Sequence, residues 1–157
     1  MKIQLLVIGK TSADYISKGT DLYLNRLSHY IPTEIKVLPD IKNTRKLTEE
    51  QQKTAEGEQF LNALQGGDYV VLLDERGKEF TSREFSTFIQ HKMNTVSRNL
   101  VFIIGGPYGF SKAVYDRADS LLSLSRMTFS HEMVRLFFIE QIYRAMTILR
   151  GEPYHHD

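Results

Sequence analysis

The chain contains no cysteine, which excludes disulfide staples and thiolate metal sites and suits a reducing compartment, so a cytoplasmic location is expected. It has no apolar run approaching the roughly 18 residues that a membrane span needs, and no association with a membrane is expected. The opening Met1–Gly9 carries one positive charge and a short apolar run, which reads as a strand rather than a secretory leader. A strong charge of either sign is also missing. Lys and Arg number 20 against 19 Asp and Glu, a formal net charge of +1. The basic excess of many nucleic-acid binders is therefore absent, and a polyanion would have to be met by a local patch or by patches joined through oligomerisation. No internal repeat or low-complexity segment interrupts the chain.

What is present is enough sequence for one domain: 157 residues, expected to form a single unit over 1–157. Ile3–Ile8, Tyr69–Leu73 and Leu100–Ile104 are nearly continuous apolar runs, the pattern of strands buried on both faces. Thr33–Leu38 alternates as a further strand, and Leu121–Ser125 is a weaker fifth. Between them lie helical segments. Thr11–Asp14 offers capping side chains to one that continues toward Pro32, Thr48–Gln51 and Thr81–Glu84 open two more, and a broad apolar face from Ser130 to Leu149 marks the longest. Pro39–Lys46 reads as a mobile basic loop and Asp74–Lys78 as a polar loop. Strands and helices alternate throughout, so the class is α/β with a mainly parallel sheet flanked by helices.

Chemistry concentrates after position 100. Gly105-Gly106-Pro107-Tyr108-Gly109 follows a buried strand and would let a ligand approach bare backbone, though the same glycines suit a tight turn. It is neither a dinucleotide fingerprint nor a phosphate-binding P-loop. Asp74 and Glu75 occupy the carboxyl end of a strand, where such sheets bind ligands, and equally suit a solvated turn. The run from Leu121 to His131 mixes hydroxyl and apolar residues that can wrap an adenine or simply cross between elements. His131 can carry a proton or cap and pack; Glu140 and Arg144 are spaced for an ion pair. No Gly-x-Ser-x-Gly nucleophile turn occurs and no His-x-x-x-His cluster, which disfavours a serine hydrolase and a metal site.

Taken together, Lys2-Ile3-Gln4-Leu5, Ile103–Gly109, Leu122–Ser125 through Arg135, and Arg150-Gly151-Glu152-Pro153-Tyr154-His155 closely resemble the RlmH family across essentially the whole chain. Members of that family are SPOUT-class enzymes that methylate N3 of a pseudouridine in helix 69 of 23S ribosomal RNA. The resemblance implies a SPOUT-type α/β knot, in which the C-terminal segment passes through a loop as a trefoil and forms an S-adenosylmethionine pocket. It implies a homodimer with the site built across the interface, and 23S rRNA or the assembled ribosome as partner. Carried over by motif, the cofactor contacts fall on Leu73, Gly105, Leu124, Ser125, Arg126, Met127, Thr128 and Phe129, with Arg126 contributing backbone.

For the reaction, N3 must attack the sulfonium methyl and lose its proton. His131, Arg135, Arg144, Tyr154 and His155 are the candidates for accepting that proton or stabilising the anion, with the tail folding over the base. Lys42, Arg45, Lys46 and Arg144 are candidate RNA contacts. Two other readings use the same residues: a non-catalytic nucleotide- or ribosome-binding α/β module, and a small hydrolase.

Overall fold

In the computed structural model, which describes residues 1–157, every strand runs parallel to its neighbours. The strands are β1 (Ile3–Ile8), β2 (Thr33–Leu38), β3 (Tyr69–Glu79), β4 (Leu100–Ile104) and β5 (Ser120–Ser123), in the spatial order β2-β1-β4-β3-β5. Five helices connect and cover them: α1 (Asp14–Leu27), α2 (Glu49–Ala63), α3 (Ser82–Thr95), α4 (Lys112–Arg117) and α5 (Met133–Leu149).

The apolar runs become central strands because each must bury both faces. Along β4, Leu100, Phe102 and Ile104 enter one core while Val101 and Ile103 enter the other, as the period-2 alternation of side chains requires. The larger core also takes Ile3, Leu5 and Val7 of β1, Phe85 and Ile89 of α3, and Phe138, Ile139 and Ile142 of α5. The smaller holds Leu6, Val70 and Leu72 against Phe60 of α2 and Val114 of α4. Phe102 and Phe138, with ring centroids 4.6 Å apart, join the centre of the sheet to α5. Burying such side chains contributes roughly 1.5–3 kcal/mol each before the entropy of ordering is counted.

The caps at Thr48 and Thr81 form reciprocal capping boxes with Gln51 and Glu84. Five expectations change. Thr11 and Ser12 do not cap α1; Ala13 holds that position, and the Glu132 carboxylate accepts from the Ser12 and Ala13 N–H groups instead, both at 2.9 Å. The basic loop contains a turn of 3₁₀ helix at Thr44–Lys46, entered through Asn43 at φ 60°. The last helix begins at Met133 rather than Ser130, and the fifth strand spans Ser120–Ser123. Finally, the polar segment Asp74–Lys78 is not a free loop, because β3 continues to Glu79.

That continuation has a local cause. Leu122 lies opposite Leu73 and again opposite Lys78, so the intervening residues carry the chain across the β5 backbone. At the crossing, a Cβ on Gly77 would stand 2.5 Å from the Leu122 nitrogen and 2.7 Å from the Leu121 carbonyl carbon. Backbone atoms cannot swing aside as a side chain can. Gly77→Ala is therefore expected to cost about 3 kcal/mol or more, the upper range for overpacking. Urea unfolding of the variant beside the wild-type protein measures it, and unchanged stability would mean that the crossing is looser than described.

Candidate functional site

The carboxyl ends of β3, β4 and β5 open onto one cavity of about 700 Å³. Leu73 and Asp74 form its wall on β3, Ile104 and the glycine turn close the side on β4, and the segment leaving β5 supplies Leu124, Ser125, Met127, Thr128 and Phe129. Three stretches far apart in sequence meet here because parallel strands place their carboxyl ends on the same edge.

The β5 exit has an unusual hydrogen-bond inventory. Ser125–Phe129 makes no backbone–backbone hydrogen bond. Its internal order comes from side chains: the Ser125 hydroxyl accepts from the Met127 N–H at 2.9 Å, and the Ser123 hydroxyl donates to the Ser125 carbonyl at 3.1 Å. Backbone donors and acceptors are left available to a ligand, while Phe129, packed 5.3 Å from Phe137, supplies an apolar surface. Arg126 turns away: its side chain is 91% exposed and its Nε meets Glu79 at 3.2 Å. Met127 is 79% exposed at the rim.

Of the sequence-derived cofactor positions, Leu73, Gly105, Leu124, Ser125, Met127, Thr128 and Phe129 line this cavity and Arg126 does not. His131 lines it too. Arg135 is buried and directed elsewhere, donating from Nη1 to the Gly9 carbonyl at 2.8 Å and from Nη2 to the Ile8 carbonyl at 2.9 Å. Those carbonyls end β1, so Arg135 ties α5 to the sheet.

Arg144, Tyr154 and His155 form a second group. Arg144 pairs with Glu140 at 2.6 Å and meets His155 Nδ1 at 3.1 Å, while the Tyr154 hydroxyl donates to Glu140 at 2.9 Å. Tyr154 packs edge-on to Tyr143 at 4.8 Å, and burial, then its contacts with Tyr23 and Glu140, push its hydroxyl pKa up. Tyr30 donates to Glu152 at 2.5 Å, which with burial raises that phenol to about 12. Asp157 closes the tail against Arg83 at 2.8 Å. The tail is thus fastened down rather than frayed. Ten residues of α5 separate Val134, in the cavity wall, from Arg144, roughly 15 Å at the helical rise. One copy of the chain does not bring the two groups together.

Sequence reasoning passed over Tyr115. It stands on α4 without any motif, yet its hydroxyl bonds Asp74 and receives the Arg76 guanidinium, which also lies 5.0 Å over its ring. Burial pushes the Asp74 carboxyl up, but the Tyr115 hydroxyl and Arg76 outweigh it and hold the pKa below the ordinary range. Asp74 therefore presents a charged, oriented carboxylate at the cavity.

A family model described as "Predicted SPOUT methyltransferase" matches residues 1–155. Among curated proteins, the chain is 64% identical over 157 residues to the Ribosomal RNA large subunit methyltransferase H of Parabacteroides distasonis, covering 100% of both chains. It is 57% identical over 157 residues to the protein of that name from Porphyromonas gingivalis, again covering 100% of both. Among solved structures, a probable methylase family protein from Haemophilus influenzae matches with a TM-score of 0.56 at 10% identity, over 95% of this chain and 66% of that one. That likeness concerns the fold.

Tyr115→Phe removes the hydroxyl that bonds Asp74, so one of the contacts opposing burial is lost and the Asp74 pKa rises relative to the wild type, an upward shift readable by carboxyl ¹³C titration. The sign for stability follows. A depressed carboxylate pKa contributes stability above the unfolded value of about 3.9 and loses it as pH falls through the lower folded value. The variant loses part of that contribution, and its acid unfolding is expected at higher pH than the wild type's.

Proposed function

Since the chain belongs to the RlmH family of SPOUT methyltransferases, we propose that it methylates N3 of a pseudouridine in helix 69 of 23S rRNA, with S-adenosylmethionine as donor and the assembled ribosome as substrate. The observation that carries this reading is the cavity at the carboxyl ends of β3, β4 and β5, lined by all but one of the positions that the family resemblance assigns to the cofactor.

The residues present suit that cofactor. The backbone groups of Ser125–Phe129 other than the Ser125 carbonyl and the Met127 N–H can hydrogen-bond an adenine edge, Leu73, Leu124 and Phe129 can sandwich its faces, and the charged Asp74 can receive ribose hydroxyls or the amino group. Gly105 brings bare backbone close. When bound, the cofactor supplies an electrophilic methyl group on a sulfonium. The protein's part is to align N3 with that methyl, keep water away and manage the N3 proton. His131 stands in the cavity wall and His155 in the tail group, and either imidazole is a candidate acceptor for the N3 proton. Arg144, beside His155, is placed to stabilise a developing anion.

In this reading the enzyme is a homodimer in which the tail group of one copy closes the cavity of the other, since a single copy keeps them apart. The trefoil knot that the family implies belongs to the same reading, and the register shift that pairs Leu122 with both Leu73 and Lys78 is consistent with it.

Mass spectrometry of helix 69 after incubation with ribosomes and S-adenosylmethionine is expected to show one added methyl on the pseudouridine base; an unmodified base would overturn the proposal. Deleting residues 153–157 is expected to reduce transfer by at least about a hundredfold, the scale of a lost acid–base group. Calorimetric affinity for the cofactor should stay within about threefold, because the cavity walls come from β3, β4 and the β5 exit and no tail residue of the same copy lines them. Full transfer by the truncated protein would exclude the tail from the reaction.

A further inference from the structure

Behind the glycine turn lies a second cavity, of about 460 Å³. Ile104, Gly105, Gly106, Pro107 and His131 line both cavities, so the turn is a shared wall. The character of the two differs. The second is bounded mainly by polar groups, among them Lys10, Asp40, Gln52, Glu56 and Arg135.

Buried polar groups normally find partners, because an unmet donor or acceptor costs about 1–3 kcal/mol. Three buried side-chain atoms in this protein have none: Thr20 Oγ1, Glu56 Oε1 and Arg135 Nε. Two of the three, Glu56 Oε1 and Arg135 Nε, belong to residues that line this cavity. Glu56 is 4% exposed, and its other oxygen has only Gln52 Nε2, at 3.3 Å. Its carboxyl presses directly on the turn, since a Cβ on Gly106 would overlap both carboxyl oxygens. Arg135, also 4% exposed, has both terminal nitrogens occupied at Ile8, Gly9 and Thr11, which leaves Nε–H free. An acceptor and a donor are thus buried and unmet at one cavity that adjoins the candidate cofactor pocket.

We infer that this second cavity receives the target base of the RNA and that Glu56 and Arg135 read its polar edge. The inference rests on the methyl-transfer reading above and extends it to the question of which base is accepted. Pseudouridine is joined to ribose through C5, so its N1–H is free; uridine presents a C–H in the equivalent place. The Glu56 oxygen accepts the N1–H, and Arg135 Nε–H donates to the adjacent C2 carbonyl. N3, on the far side of C2, is then directed toward the glycine turn and the first cavity. Burial pushes the Glu56 carboxyl pKa up, with Gln52 and His131 acting in the opposite direction, and in either protonation state one oxygen accepts a hydrogen bond. The loop bearing Lys42, Arg45 and Lys46, all exposed, borders this cavity through Asp40, Ile41 and Thr44, which places cations where the sugar–phosphate chain would leave it.

The test compares methylation of ribosomes carrying pseudouridine at the target position with ribosomes carrying uridine there, using wild type, Glu56→Gln and Glu56→Met. Glutamine keeps an accepting oxygen and methionine keeps the volume without one. Thermal melts establish that each variant folds, and calorimetry with S-adenosylhomocysteine reads the first cavity separately. Glu56→Met should reduce the pseudouridine-over-uridine ratio of kcat/KM by about tenfold or more, the scale of one lost polar contact. Glu56→Gln should retain most of the ratio, and cofactor affinity should be unchanged in both. A wild-type ratio in a folded Glu56→Met protein would overturn the assignment of Glu56. Absence of methyl transfer by the wild-type protein to either ribosome would instead remove the methyl-transfer reading, and this inference with it.

Discussion

Two stretches of backbone in contact, Gly77 on Leu121 and Leu122, hold the functional end of this molecule together. The contact lets one continuous strand flank β5 at Leu73 and again at Lys78. Asp74 is thereby fixed in the bend, Ser123 is paired with Glu79, and the chain leaves β5 directly into Leu124–Phe129. The cavity walls on β3 and β5 are consequences of this one crossing. A side chain at position 77 would separate them, and the residues on either side would no longer face a common space.

Much of the fold was legible in the sequence because the interior strands obey simple rules. β1 and β4 have no polar residue to spare for solvent except Gln4, and both are central. The boxes at Thr48 and Thr81 announce their helices through local hydrogen bonding alone. Legibility failed where a distant group replaced a local one. The start of α1 is held by Glu132, 120 residues from Ser12, and no local pattern encodes that. The second half of β3 is polar and reads as a loop, since its pairing with β5 uses backbone rather than alternating apolar side chains.

The candidate site shows the same division. Leu73, Gly105 and the Leu124–Phe129 run were identified by position at strand ends and by family resemblance, and they meet around one cavity with Arg126 turned outward. Tyr115 was invisible because a tyrosine on a short helix carries no signature. Glu56 was invisible for a stronger reason: a glutamate in mid-helix ordinarily reads as exposed, and here it lies beneath a glycine turn. The tail misled in the opposite sense. A short polar terminus reads as loose, yet Glu140, Arg144, Arg83 and three tyrosines, Tyr23, Tyr30 and Tyr143, fasten it to the rest of the chain.

The contact between Glu56 and Gly106 also bears on how such a sequence can diverge. Position 106 can acquire a side chain only if the buried Glu56 carboxyl moves aside or position 56 becomes smaller, and a smaller residue at 56 leaves a void behind the turn until 106 fills it. Either substitution made first disturbs the packing of the other position. The two sites should therefore change as a pair or remain fixed, an epistatic lock set by a few ångströms of space on opposite sides of a backbone bend.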